Sequence, residues 1–492
     1  MGPTQLPQRV LVAIVTVAAG AWRLWLGSRY YGWEESDYGN LAMTRGVLES
    51  GFVHYDMNHL PMYYGLSALV MAVVGDAVLA TRLVAWVGGL VTVGGLTWLA
   101  DRVFGRRIAL LVAAFVLVQP ELALYSASSL REPVYGAALV LMACALVSER
   151  LVLASICCGV AFLTRMDALI AVTPVLLVHA LGRGPRLWRA LAAIAPLALL
   201  ALGWAAYCSV VHGTWAFWSH SIAVNVETGG AERHGLAWAR DGAGISLALF
   251  FRTLPQHLGW MPWLGLFPAL AFTPWRRHGP RRTLTLVGVL MLGFWLALGF
   301  AGQHAPEHNL YWKWLYGVLP FVVVLGVWGV VGALDRTSRV TGRMATSAVL
   351  AALVAATLVP QLRETERQIE VSETLYRPQL QLAQLIEQTI DEDVVLLVDN
   401  IPGCWLDRRD HGRELWTWFD VPVGPNDREA FGAWLVEEQV GYVLWFAEEW
   451  TQAPVIAPWL EDVRPHQLGP VVLTPLRSDE AYGWAFYSVH AE

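Results

Sequence analysis

Apolar residues run in long blocks up to about Pro360, and short polar stretches separate them. Blocks of roughly this length match what a helix needs to cross a hydrocarbon layer about 30 Å thick. The pattern predicts eleven spans: 9–27, 78–100, 108–126, 133–148, 150–163, 168–181, 190–211, 257–275, 283–301, 314–333 and 344–360. Several are short for a full crossing, which implies tilt or a locally thinned bilayer. Beyond Pro360 the pattern changes. "ETERQIEVSETLYRPQLQLAQLIEQTI" predicts a helix that leaves the membrane, and "VVLLVDN" predicts a buried strand. "DREAFGAWLVEEQ" predicts an amphipathic helix, "GYVLWF" a second strand, and "GPVVLTPL" and "GWAFYSV" two more. That alternation predicts a small α/β domain over 361–492, appended to a membrane core over 1–360. "DNIPGCW" reads as a loop and is no glycine-rich phosphate fingerprint.

Composition agrees with the pattern. The 492 residues are 56% hydrophobic and 15% charged, with a mean hydropathy of +0.45. Soluble domains carry nearer one quarter charged residues. The net charge of −6 matters less than where the arginines lie. No nucleic-acid partner is expected. The five cysteines, Cys144, Cys157, Cys158, Cys208 and Cys404, are scattered and form neither a disulfide framework nor a metal-spaced set. The N-terminus, "MGPTQLPQRVLVAIVTVAAGAWRLWLG", lacks a small-residue cleavage site and reads as a retained first helix.

Arginines set the expected orientation. They cluster at 102–107, 183–189, 276–282 and 336–343, and all four clusters are placed on the cytoplasmic side. The run "LPMYYGLSALVMAVVG" (60–75) then cannot cross, because the loop "DRVFGRR" would land outside. It is read as a re-entrant or interfacial helix on the outer face. The N-terminus comes out cytoplasmic and the C-terminal domain extracytoplasmic.

On this map the outer face collects the candidate chemistry. Glu34, Glu35 and Asp37 follow the first span beside Trp33 and Tyr38, where carboxylates are also common in any solvated loop. Glu132 begins a later span as "REP", a place where a carboxylate also suits the helix dipole. His59 lies in "NHLPMYY". Arg165 in "LTRMDAL" and Lys313, the only lysine, in "YWKW" are cations on the outer side. Either could contact a phosphate. Asp167 could equally satisfy Arg165, and Lys313 could snorkel to the interface. His304 and His308 are four apart, but Pro306 between them argues against a helical metal pair.

In order, these motifs resemble the GT-C superfamily of polyprenyl-phosphate-sugar-dependent glycosyltransferases, which includes protein O-mannosyltransferases and aminoarabinose transferases. "SDYGNLAMTRGVLESG" resembles the family pattern "DEAYYALLARNILEGG", with Asp37 on the second acid and Ser36 in place of the first. Glu34 or Glu35 is left to stand in for that first acid. "HLPMYY" resembles "HPPLYY", "SLREP" sits where the second outer acid occurs, "LTRMDAL" resembles "LTRPDAL", and "KWLYGVLP" resembles "RYLLPLLP" with Lys313 on the arginine. The likeness is good over roughly the first third of the chain and moderate near 313–330.

The resemblance implies a GT-C-like polytopic helical protein with outer juxtamembrane helices, seated in a bacterial inner membrane. It implies an inverting transfer of a sugar from a polyprenyl-phosphate donor to an extracytoplasmic glycan, lipid or protein. Asp37 would be the general base, with Glu35 and Glu132 also catalytic. Glu34, Tyr38, His59, Arg165 and Lys313 would contact substrate. No cofactor is required, although Glu132 leaves room for an optional divalent cation. Two rival classes are a transporter or flippase of lipid-linked sugars and a non-catalytic envelope assembly protein. A transporter should carry ionisable residues inside its spans, and the sequence shows few.

Overall fold

The computed structural model describes residues 7–32, 35–52, 60–182, 187–216, 251, 254–275, 277, 279–300, 315–390, 394–398, 400–406, 415–418, 421–424, 426–446, 453–479 and 483–491. The described helices are α1 Gln8–Arg29, α2 Glu35–Ser50, α3 Pro61–Val74, α4 Ala77–Phe104, α5 Arg106–Val118, α6 Pro120–Leu124, α7 Glu132–Val147 and α8 Leu151–Phe162. They continue as α9 Asp167–Leu181, α10 Leu187–Val211, α11 Leu254–Leu258, α12 Trp260–Phe272, α13 Pro280–Phe300, α14 Leu319–Thr341 and α15 Arg343–Thr389. Among the described residues five helices are long and apolar enough to cross a membrane, or six if one bent pair is a single span. The chain is thus an integral membrane protein.

Two of the expected blocks are broken. The block 108–126 becomes α5 and α6, bent by 70°. Pro120 cannot continue the α5 ladder, and Gln119 caps the new helix by accepting the Leu122 N–H at 2.7 Å. The block 257–275 is split by Gly259, whose φ of +78° suits only glycine without strain. The run after Leu60 is helical, as α3.

The chain divides into two compact units, 1–30 with 49–67 and 82–369, and 31–48 with 68–81 and 370–492. In the first, helices approach through small residues. A methyl on Gly326 of α14 would lie 1.8 Å from the Pro262 carbonyl oxygen of α12, and one on Gly265 would lie 1.8 Å from the Gly326 oxygen. Such contacts are possible only backbone to backbone, the usual basis of helix association in lipid. Along α4, Gly88 abuts the Pro133 backbone and Gly95 abuts Val140, so α4 and α7 run side by side in the same direction. At the end where both finish, Arg107 pairs with Asp335 at 2.9 Å and Arg281 donates to the Val103 carbonyl at 3.4 Å. Three of the four arginine clusters therefore gather at one end.

In the second unit a six-stranded mixed sheet has the order β2-β1-β3-β6-β5-β4. The strands are β1 Val395–Val398, β2 Leu415–Thr417, β3 Val440–Phe446, β4 His466–Leu468, β5 Val471–Asp479 and β6 Trp484–Ala491. β1 is parallel to β2 and β3, and the other neighbours are antiparallel. Both faces are covered. Leu396, Val398, Leu444 and Phe446 pack on Leu382, Ala383 and Ile386 of α15. Leu397, Val443 and Trp445 pack with Phe431, Trp434 and Leu435 of the helix Arg428–Glu437 on the other face. Two covered faces explain why "VVLLV" and "YVLWF" are apolar throughout rather than alternating. "NIPGCWL" (Asn400–Leu406), expected as loop, is a short helix. In this unit Leu41, Met71, Ala77 and Ala80 also pack against Tyr376 and Leu380 of α15.

Candidate active site

α7 begins with Glu132, and Pro133 in its first turn supplies a φ already suited to the helix. α8 stops after Phe162, α9 starts at Asp167, and the turn between them is closed by the Thr164 and Arg165 N–H groups on the Ala161 carbonyl. These two helix ends meet. Arg165 Nη1 donates to Glu132 Oε1 at 2.5 Å, and its Nε donates to Asp167 Oδ1 at 3.0 Å. Tyr135, one turn below Glu132, donates its hydroxyl to Asp167 Oδ2 at 3.1 Å, and the guanidinium lies 5.7 Å from its ring centroid. Glu132 is 1% exposed and Arg165 6%. Arg131 stands 4.0 Å from Glu132, so two carboxylates and two guanidiniums balance to zero formal charge. The short contact with Arg165 fixes the direction of the Glu132 carboxylate. The Arg165 guanidinium, shared between two carboxylates, brings less net positive charge to any phosphate than an isolated arginine would.

A second buried group centres on Glu121 of α6, which is 1% exposed. Its carboxylate accepts from Gln119 Nε2 and meets His257 Nδ1 of α11. Gln361 of α15 donates to the Leu258 carbonyl at 2.9 Å and the His257 carbonyl at 3.3 Å. Beside it, Arg23 of α1 donates to Ser126 Oγ at 2.7 Å and the Leu122 carbonyl at 3.3 Å, pinning the bent helix to α1. Tyr125 stacks on Tyr316 with centroids 5.6 Å apart, and a methyl on Gly136 of α7 would lie 2.5 Å from the Tyr316 ring. Contacts thus run from the bend to the helix that carries Glu132.

Of the residues expected from sequence, the structure brings together Glu132 and Arg165. Glu35, Asp37 and Tyr38 belong to α2 by their backbone, and their side chains lie outside the described residues. Glu34, His59 and Lys313 lie outside the described residues altogether. Glu121, His257 and Arg23 escaped the sequence reading. The available signal was an ionisable residue inside or beside an apolar run, as in "GAWRLW" and "VQPELAL". Among the described residues no three His, Cys, Asp or Glu side chains converge to hold a metal ion.

No family model and no curated protein sequence matches the chain. Solved structures do. The aminoarabinose transferase ArnT of Cupriavidus metallidurans, bound to undecaprenyl phosphate, superposes with a TM-score of 0.61 at 16% identity, over 97% of this chain and 98% of that one. Its apo form gives 0.57 at 15% identity, covering 98% of each chain. An oligosaccharyltransferase of Archaeoglobus fulgidus, in complex with zinc and sulfate, gives 0.53 at 13% identity, over 87% of this chain and 67% of that one. The chain shares its fold with ArnT over nearly its whole length.

Proposed function

We propose that the chain is a membrane glycosyltransferase that moves a sugar from a polyprenyl-phosphate donor to an acceptor outside the cytoplasm. The observation that carries this reading is the likeness, across almost the entire chain, to ArnT with undecaprenyl phosphate bound. The buried Glu132–Arg165–Asp167 group, at helix ends opposite the arginine-rich end, supports it. Helix ends facing one side of a membrane are where a lipid phosphate and a soluble acceptor can meet.

In this reading an acceptor hydroxyl or amine attacks the anomeric carbon from the face opposite the phosphate. The bond from that carbon to the phosphate oxygen breaks, and polyprenyl phosphate leaves with both electrons. The acceptor's proton passes to a carboxylate, for which the motif register favours Asp37, with Glu35 as the second acid. Glu132, fixed by Arg165, orients a sugar or acceptor hydroxyl. Lys313 and Arg165 balance charge on the leaving phosphate, with Glu34, Tyr38 and His59 lining the substrate. The sheet-bearing segment after residue 361 would then lie outside, with the N-terminus in the cytoplasm.

The test compares envelope glycans and prenyl-phosphate sugars, by mass spectrometry, with and without the gene. A lipid-linked monosaccharide that accumulates while one glycan residue disappears is the expected result, and unchanged pools refute the reading. In the purified protein, Asp37→Ala is expected to abolish transfer while donor-lipid binding persists. Unaltered turnover removes Asp37 from the role of base.

A further inference from the structure

At the opposite end of α7 from Glu132 lies a groove between the starts of α8 and α10, with a cavity of about 560 Å³. Its walls are Leu151, Val152, Leu153 and Ile156, and its head carries Arg150, Arg189 and Trp188 with Glu149. The sixteen residues of α7 at about 1.5 Å each set the groove roughly 24 Å from the charged group that contains Glu132. It is therefore a separate place from the proposed transfer site.

We infer that this groove binds an anionic phospholipid, with the lipid phosphate against Arg150 and Arg189 and an acyl chain along α8. The walls are apolar yet uncovered: Val152 is 51% exposed and Ile156 42%, on a helix packed in the bundle by its other side. That side is fixed, since Ser155 Oγ accepts the Leu197 N–H at 3.1 Å and Gly159 abuts Leu200 of α10. In an integral membrane protein such a face is open to hydrocarbon. Among the described lining residues the head of the groove supplies two guanidiniums and one carboxylate, a charge complementary to a phosphate. Arg189 lies 5.5 Å from the Trp188 ring centroid, an aromatic–cation pairing suited to the headgroup layer. α7 ends beside the end of α4, so the groove opens at the arginine-rich end, where the anionic leaflet is expected. The turn that presents Arg150 is held tightly: the Arg150 N–H bonds to the Ala145 carbonyl at 2.8 Å, and Glu149 takes a φ of +61°.

The experiment uses the full-length chain in detergent, with native mass spectrometry after addition of phosphatidylglycerol or phosphatidylcholine. One retained phosphatidylglycerol per chain is expected in preference to phosphatidylcholine. The paired change Arg150→Gln and Arg189→Gln is expected to cut that preference roughly ten- to thirtyfold, about one kcal/mol per lost charge. A second variant, Val152→Trp, fills the groove without touching the arginines and is expected to lower retention of the same lipid. Equal retention of both lipids, or unchanged preference in the Gln pair, overturns the inference. Binding of millimolar inorganic phosphate with no phosphatidylglycerol retained also overturns it, because the site would then take the free anion rather than a lipid.

Discussion

Consider removal of the Glu132 carboxylate. Arg165 would keep Asp167 at 3.0 Å but lose its 2.5 Å partner, in a place where it is 6% exposed. The neutral group of four charges would become a cluster of net charge +1, with Arg131 no longer opposed. Two charges about 4 Å apart attract by roughly 4 kcal/mol at an effective dielectric constant near 20. Breaking such a buried pair from one side costs about 3–5 kcal/mol, because the remaining charge stays desolvated. The contact with Asp167 survives, so the low end applies: Glu132→Ala should cost about 3 kcal/mol. Glu132→Gln, which retains an acceptor oxygen for Arg165, should cost less. The assay is a double-mutant cycle with Arg165→Met, read by reversible unfolding in mixed micelles of mild detergent and dodecyl sulfate. A coupling of about 2 kcal/mol between the two positions is expected. Costs that simply add, to within about 0.5 kcal/mol, would refute the claim that these groups act as one unit.

Three further outcomes follow from the structure. Gly326→Ala places a methyl 1.8 Å from the Pro262 oxygen, so α12 and α14 must separate, and a loss of about 3 kcal/mol or more is expected in the same unfolding assay; Gly293→Ala, which meets nothing within 4 Å, should be neutral, and equal behaviour of the two would contradict the packing. His257→Phe leaves the buried Glu121 carboxylate with Gln119 as its one side-chain partner among the described residues and should destabilise by about 2 kcal/mol, whereas the double change Glu121→Leu with His257→Phe should recover most of that loss; a double variant no better than the single would argue against a buried charge as the cause. In the sheet-bearing unit, burial holds the His466 imidazole below its ordinary value, aided by Arg428 and Arg464 and opposed by its hydrogen bond to the Asp462 carbonyl and by the Asp462 carboxylate. The unfolded chain then binds the proton first, so the contribution is complete above about pH 6.5 and is lost as the pH falls through the lower folded value. Urea unfolding followed by tryptophan emission should show falling stability below that pH, with the slope reduced in His466→Phe; stability that rises on acidification would reverse the sign.

Much of the architecture was legible in the linear pattern. Apolar blocks marked the helices because a bilayer needs long apolar runs wherever a helix crosses it. The strands around 395–398 and 440–446 announced themselves because residues on both faces are buried. The shortest elements, β2 and β4, gave too few residues for any period to register. The bend at Gln119–Pro120 was readable in principle, since proline ends an α-helical ladder, yet the apolar run passed through it unbroken.

The chemistry divides in the same way. The sequence by itself determined that Glu132 begins a helix, that Arg165 and Asp167 share a turn, and that acids follow the first apolar block. Only the tertiary structure decided that Arg165 reaches Glu132, 33 residues away, as well as its neighbour Asp167. It alone joined Glu121 to His257 across 136 residues, and set Gly326 against Pro262. Periodicity reports the environment that each residue meets locally. Which helix end faces which is set by the packing of whole helices, and buried charges take their partners from that packing.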